Sequence, residues 1–228
     1  MNGRLKVLGI VLTVFGLAFM AGGAYAFVRT QDGAKSLQAF SEAQGVKLAY
    51  NDQGQLTDRG EVAGAQAIMS LLTNDWGYKV DTNELNPNDP LVNTASEYMF
   101  QMATIAHHTL DSTQTVVLDK DVTAADGTIY KAGTYDFKVD GRYWSQFNRA
   151  NPIEAAAREQ AWTGTAHALI AELGVGSVTA STLQMGLGLA GLFAALGLTL
   201  IVAGVGLVWA TRPETEKVRA LRQAPVPA

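Results

Sequence analysis

Between Lys6 and Arg29 the chain runs 22 residues, Val7 to Val28, without a charged side chain, and between Glu172 and Arg212 it again carries none. At the helical rise the first run is about 33 Å long, enough to cross a hydrocarbon core of about 30 Å. The second contains Met185–Ala210, apolar apart from Thr199 and its glycines, which is long enough to cross with a tilt. Everything between them is polar and mixed. The expected class is therefore a membrane protein in which two transmembrane α-helices flank an extracytoplasmic α+β domain. Its expected boundaries are a cytoplasmic N-terminus at 1–6, a span at 7–28, the domain at 29–184, a second span at 185–210 and a cytoplasmic tail at 211–228. Composition points the same way, since 48% hydrophobic against 17% charged residues leaves too little polar surface for an ordinary soluble domain.

Charge sets the expected orientation. Arg4 and Lys6 precede the first span, and Arg212, Lys217, Arg219 and Arg222 follow the second, where Glu214 and Glu216 partly offset them. The middle segment holds 11 Lys/Arg against 19 Asp/Glu, a net −8 within a chain of net −4. The positive-inside rule then puts both termini in the cytoplasm of a plasma membrane and the domain outside. Tyr25 beside Arg29 and Trp209 beside Arg212 suit interfacial anchors. Ala24-Tyr25-Ala26 also has the small-x-small form accepted by signal peptidase, so a cleaved signal peptide competes with a retained span. The length of the apolar run, beyond the 7–15 residues of a usual signal core, favours retention.

Several function classes drop out on residue types alone. Zero cysteines exclude disulfides, thiolate metal ligation and a cysteine nucleophile. A pI near 5.4, with no basic stripe interleaved with aromatics, excludes nucleic acid as a partner. Neither span holds an ionisable residue at its centre, which argues against a proton relay or ion pathway formed by this chain alone. Small residues do recur at heptad spacing: Gly9, Gly16 and Gly23 in the first span, Ala190, Gly197 and Gly204 in the second. Such stripes let helix backbones approach closely, and the heptad period favours a shallow left-handed crossing of the spans on each other or on copies in an oligomer. The alternative is that glycine is simply common in spans.

Within the middle segment, Lys35–Gln44 reads as a short helix stopped by Gly45. Val46, Leu48 and Tyr50 alternate as a strand, and Asn51–Gly54 turns into a return strand at Gln55–Thr57. A helix is expected over Asp58–Leu72 with Val62, Ala65, Ile68, Met69 and Leu72 inward. Another is expected from Asp89-Pro90 to Leu110 with Met99, Met102, Ala103, Ile105 and Ala106 inward. Gln114–Leu118 and Ile129–Val139 read as strands, with a hairpin turn at Asp126-Gly127 and another around Ala132-Gly133-Thr134. Asn151-Pro152 starts a helix through Leu173 that Gly174 stops, followed by a Gly/Ser/Thr linker. Asp89-Pro90-Leu91 and Asn151-Pro152-Ile153 share one physical explanation: an oxygen-bearing cap, then proline at the first helical position.

The run Gly141-Arg142-Tyr143-Trp144-Ser145-Gln146-Phe147-Asn148-Arg149-Ala150-Asn151-Pro152, the Ala-rich helix after it and the Gly-rich span with its basic tail resemble a group of actinobacterial two-span membrane proteins with an extracytoplasmic segment. Some of these are labelled aromatic-ring-opening dioxygenases. The resemblance covers mainly Gly141–Ala210 and the general layout; it implies topology and lineage and brings no established activity.

The constellations that could carry chemistry are sparse. His107, His108 and Asp111 offer metal-ligating types at helical spacing, but adjacent histidines diverge, and non-haem iron needs two histidines and a carboxylate that converge. The alternative reading is capping of a helix end. Ser96, Ser112 and Ser145 lie in no triad context. Asp119, Asp121 and Asp126 have the character of turn acids and lack the spacing of a calcium loop. Arg142, Tyr143, Trp144, Phe147 and Arg149 are either a partner-contact patch or part of a small core. No catalytic set, no cofactor and no resident metal is therefore expected. The expected function is that of a non-enzymatic accessory or scaffold subunit of a larger envelope or respiratory membrane complex. Its partners would be the bilayer and other membrane subunits, or copies of itself through the spans. The alternative is an extracytoplasmic ligand-binding or sensing module for an envelope lipid, glycan or metal.

Overall fold

The computed structural model describes residues 2–211; the expectations placed on the basic tail, residues 212–228, lie outside the described residues. Two compact units are formed by the described residues, one from 2–34 with 183–211, the other from Lys35–Thr182. Two long helices contribute to both: α1, Asn2–Gln44, and α5, Gly164–Ala210. At 43 and 47 residues they are about 65 and 70 Å long. Each contains a stretch long and apolar enough to cross a membrane.

Both helices overrun the breaks expected from the sequence. The short helix at Lys35–Gln44 is the last part of α1, because nothing after Val28 interrupts the backbone ladder until Gly45. Gly45 turns left-handed (φ 64°) and donates its N–H to the Ser41 carbonyl at 2.9 Å, closing the helix. Gly174 stops nothing, and the expected linker is helical. Glycine in a helix interior costs about 1 kcal/mol relative to alanine, but at Gly176 it makes room: a Cβ there would stand 2.5 Å from the Tyr98 ring. The expected Asn151–Leu173 helix is in turn two helices. α4, Pro152–Ala161, begins as foreseen, with the Asn151 Oδ1 accepting from the N–H groups of Ile153 and Glu154. It ends at Trp162, and α5 begins after Thr163, whose hydroxyl accepts from the Ala166 N–H at 3.1 Å.

In the first unit α1 and α5 pack antiparallel, each using its small residues. A Cβ on Gly9 would lie 2.6 Å from the Gly204 carbonyl oxygen, one on Gly16 2.7 Å from that of Gly197, and one on Gly23 3.0 Å from that of Ala190. Phe19 and Phe193 meet edge to face beside this seam, with ring centres 5.7 Å apart.

The second unit is a small α+β arrangement. β1 (Ala49–Tyr50) and β2 (Leu56–Thr57) form a short antiparallel hairpin, bounded by the Asn51 turn. α2, Val62–Ser70, starts later than expected because Arg59 and Gly60 take left-handed conformations (φ 51° and 88°), and it runs on as a π-helical turn through Asp75. α3, Ala95–Leu110, does not start at Asp89-Pro90. There, Leu91 bridges to Lys47 as extended chain, and the helix is opened by Thr94 and Glu97 in a reciprocal capping box. β3 (Thr113–Leu118) and β6 (Gly133–Lys138) pair antiparallel from Thr113 opposite Lys138 to Leu118 opposite Gly133. Between them β4 (Val122–Thr123) and β5 (Ile129–Tyr130) make a small hairpin through the Asp126-Gly127 turn.

Two buried clusters hold this unit together. One gathers Leu48, Ala65, Ile68, Leu72, Val92, Tyr98, Phe100, Ala103 and Leu173, with Leu37 of α1 packed against it. The other gathers Leu71, Ala106, Leu110, Val139, Phe147, Ala161 and Trp162. Tyr98 is the crosspiece between the long helices here. Its hydroxyl shares a 2.8 Å buried hydrogen bond with Ser41 of α1, and its ring fills the space Gly176 leaves on α5. Gly176→Ala is expected to destabilise by about 2 kcal/mol through overpacking against that ring. Tyr98→Phe should cost about 1 kcal/mol, the worth of a neutral hydrogen bond. Chemical unfolding of the detergent-solubilised chain measures both, and an alanine at 176 without effect would show that Tyr98 has another rotamer available.

Candidate functional site

A concave apolar surface of the second unit lies where α1, α3 and α5 come together. Phe40, Ser41 and Gln44 from α1, Tyr98, Gln101 and Ile105 from α3, and Leu169, Glu172 and Leu173 from α5 line a groove of about 130 Å³, completed by Val46 and Val92. Val92, Tyr98 and Leu173 are buried and form its floor, whereas Phe40 and Leu169 stay 45% and 39% exposed at its sides. Gln44 and Glu172 are exposed polar groups along its edge. Such a groove can hold an apolar chain or side chain and offers an acceptor to a cationic or amide group beside it. Its lining comes from four separate stretches of sequence, and no local motif announces it.

Glu97 is the unit's unusual acid, only 1% exposed. Its Oε2 accepts from the Asn93 N–H at 3.1 Å, the Thr94 N–H at 2.9 Å and the Thr94 hydroxyl at 2.7 Å. Burial raises its pKa above the usual glutamate range, while the hydrogen bonds from Asn93 and Thr94 pull it back. The signal for this residue was in the sequence: Thr94-Ala95-Ser96-Glu97 has the capping-box form, and Asp89-Pro90 drew the helix start away from it. Tyr50 is raised further, to about 12, chiefly by burial and then by the charge of Glu97. The phenol is therefore expected to contribute stability below pH 10 that is lost as pH rises through about 12. An absorbance titration should show one tyrosine ionising near that value in the native protein and not in Tyr50→Phe; complete ionisation of all native tyrosines near pH 10 would contradict it.

The histidine constellation does not assemble. His108 Nε2 pairs with Asp58 Oδ1 at 3.0 Å, whereas Asp111 closes α3, donating its backbone N–H to the His107 carbonyl. His167 lies in another part of the unit, against Trp144 and Trp162 with ring centres 5.2 and 5.7 Å away. Among the described residues, no three His, Cys, Asp or Glu side chains are grouped to hold a metal ion. Ser96 Oγ accepts from the Asp81 N–H at 3.0 Å, and Ser112 Oγ donates to the Thr109 carbonyl at 2.6 Å, so both hydroxyls serve local backbone. Ser145 is exposed within the short 3₁₀ turn Trp144–Gln146. Asp121 binds Lys131 Nζ at 2.8 Å and the Ala132 N–H, and these lower its pKa; Asp126 caps its own turn through the Thr128 N–H. Asp119 is exposed beside them.

The aromatic run around Tyr143 is divided. Phe147 is buried in the second cluster, and Trp144 packs against it beneath the Arg158 guanidinium, which lies 3.6 Å from the ring centre. Tyr143 stacks on Trp162 and accepts from the Trp76 indole N–H at 2.8 Å. Arg142 lies over Phe137, and Arg149 is exposed. As a contact patch the five residues are therefore not one surface. The helix-packing residues, by contrast, are brought face to face: Gly9 with Gly204, Gly16 with Gly197, Gly23 with Ala190.

These features define a class: two helices that could span a membrane, with a small α+β region between them in sequence. Beyond that class, comparison with protein-family models, curated proteins and solved structures gives no match for this chain.

Proposed function

We propose that the protein is a non-enzymatic, membrane-anchored accessory or scaffold subunit of a larger cell-envelope or respiratory complex. The observation that carries this reading is that the two anchoring helices also build the core of the second unit. Leu37 and Ser41 of α1, and Leu173 and Gly176 of α5, pack around Tyr98 and its neighbours. A domain built on its own anchors suits a part that is held in place among membrane subunits. The side chains that carry reactive chemistry support the same reading, since Glu97, His108, Ser96 and Ser112 each hold local structure. Purification from native membranes in mild detergent is expected to bring down stoichiometric membrane subunits; a lone chain under every mild condition would reject the proposal.

The groove beneath Phe40 and Leu169 favours a second reading, a binding module for an envelope lipid. Its apolar lining suits an acyl chain better than a glycan or a metal ion. Lauric acid added to the full chain in detergent should then raise the melting temperature, and Leu173→Trp, which fills the groove, should abolish the shift. An unchanged melting temperature at millimolar lauric acid excludes this reading.

A further inference from the structure

The outer face of α5 carries a second apolar repeat that the fold leaves uncovered. Ala168, Ala171, Val175 and Val178 are all exposed, the two valines at 67% each. They follow 3–4–3 spacing, the a and d positions of a heptad. The neighbours Glu172, Thr179, Ser181, Thr182 and Gln184 are polar, so this part of α5 belongs to an aqueous or interfacial setting and lipid does not account for the valines. The same register continues along α5 through Thr182, Met185, Leu189, Leu192 and Leu196, every one exposed. It is distinct from the stripe that meets α1, where Ala190, Gly197 and Gly204 are buried.

We infer that α5 pairs with α5 of a second copy of this chain, in parallel, through the seam that begins at Ala168. Three observations select that occupant. A 3–4 apolar repeat is met by another helix carrying the same repeat, in a left-handed crossing. Copies inserted in one membrane share one direction, so their helices run parallel. The flanks also match. His167 stands at the position before an a residue and Glu172 at the position after a d residue, five residues on, which is the spacing that places them across a parallel pair. His167 donates from Nδ1 to the Thr163 carbonyl at 3.0 Å while its ring rests against Trp144 and Trp162, and among the described residues neither its Nε2 nor the Glu172 carboxylate has a hydrogen-bond partner. In the pair each imidazole faces the other copy's carboxylate, giving two equivalent contacts around the two-fold axis. This goes beyond the accessory-subunit reading and does not depend on it.

The chain has no cysteine, so single replacements test the seam directly. Full-length Val175→Cys and Val178→Cys in native membranes, treated with copper phenanthroline, are expected to give a disulfide-linked species of twice the monomer mass. Ile129→Cys, also well exposed at 57% on the β5 hairpin, should give none. No linked species at 175 and 178 overturns the proposal, as does equal linkage at 129. A linked species with a chain of different mass overturns it in favour of another partner. Val175→Glu should abolish cross-linking through Val178→Cys in the same chain, and persistence of the band would place that contact elsewhere.

Discussion

Gly16→Leu is expected to lower the stability of the helix pair by about 3 kcal/mol, and Gly197→Leu by as much, because each forces a side chain into opposing backbone. A Cβ at 16 would already stand 2.7 Å from the Gly197 carbonyl oxygen and 2.9 Å from the Ile201 nitrogen, and one at 197 2.8 Å from the Gly16 oxygen. Backbone cannot swing aside as a flexible side chain can, so the cost falls at the upper end of overpacking. The matched controls are Gly188→Ala and Gly191→Ala, where nothing lies within 4 Å and a methyl group should be neutral or slightly stabilising. Unfolding in mild detergent, followed by a donor–acceptor pair on the two helices, measures the difference. If Gly16→Leu unfolds with the wild type, the glycines are not the contact that joins these helices.

Glu97→Ala should cost about 3 kcal/mol. It strips the acceptor from two backbone N–H groups and the Thr94 hydroxyl at a site where the carboxylate itself is 1% exposed. Glu97→Gln keeps an acceptor oxygen and should cost about 1 kcal/mol at neutral pH. The two variants also separate by pH. Because burial raises the native pKa above the unfolded value, the contribution from proton binding at Glu97 is fully present below the ordinary glutamate range and is lost as pH rises through the native pKa. Relative to Glu97→Gln, the wild type should therefore lose stability on going from acid to neutral pH. Tryptophan fluorescence of the full chain across urea gradients reads this; a difference that grows with pH would mean that the hydrogen bonds outweigh burial.

Local signals suffice where one residue type decides the backbone. Asn151-Pro152 caps α4 as its chemistry requires, Asp126-Gly127 turns a hairpin, and Gly45 ends α1 with a left-handed backbone. Gly174 and Asp89-Pro90 depart from their local signals. Gly174 has no positive φ and lies within a helix whose packing around Tyr98 outweighs glycine's low propensity. At Asp89-Pro90 a tertiary bridge from Lys47 to Leu91 holds the chain extended, so the helix waits for the stronger cap at Thr94. The groove was illegible for a different reason: Phe40, Val92, Ile105 and Leu169 are far apart in the chain, and each alone reads as an ordinary apolar helix or loop residue.

Sequence by itself determined the two charge-free stretches within the long helices, the α+β character of the segment between them and the heptad glycines, because hydropathy, capping and small size act over a few residues. Only the tertiary structure decided which surface each helix face meets. Gly9, Gly16 and Gly23 face α5, Tyr98 joins Ser41 to Gly176, and Phe147 turns inward from its aromatic neighbours. The physical reason is that burial and contact arise between residues distant in sequence, and the free energy of packing them outweighs the local preference of any one.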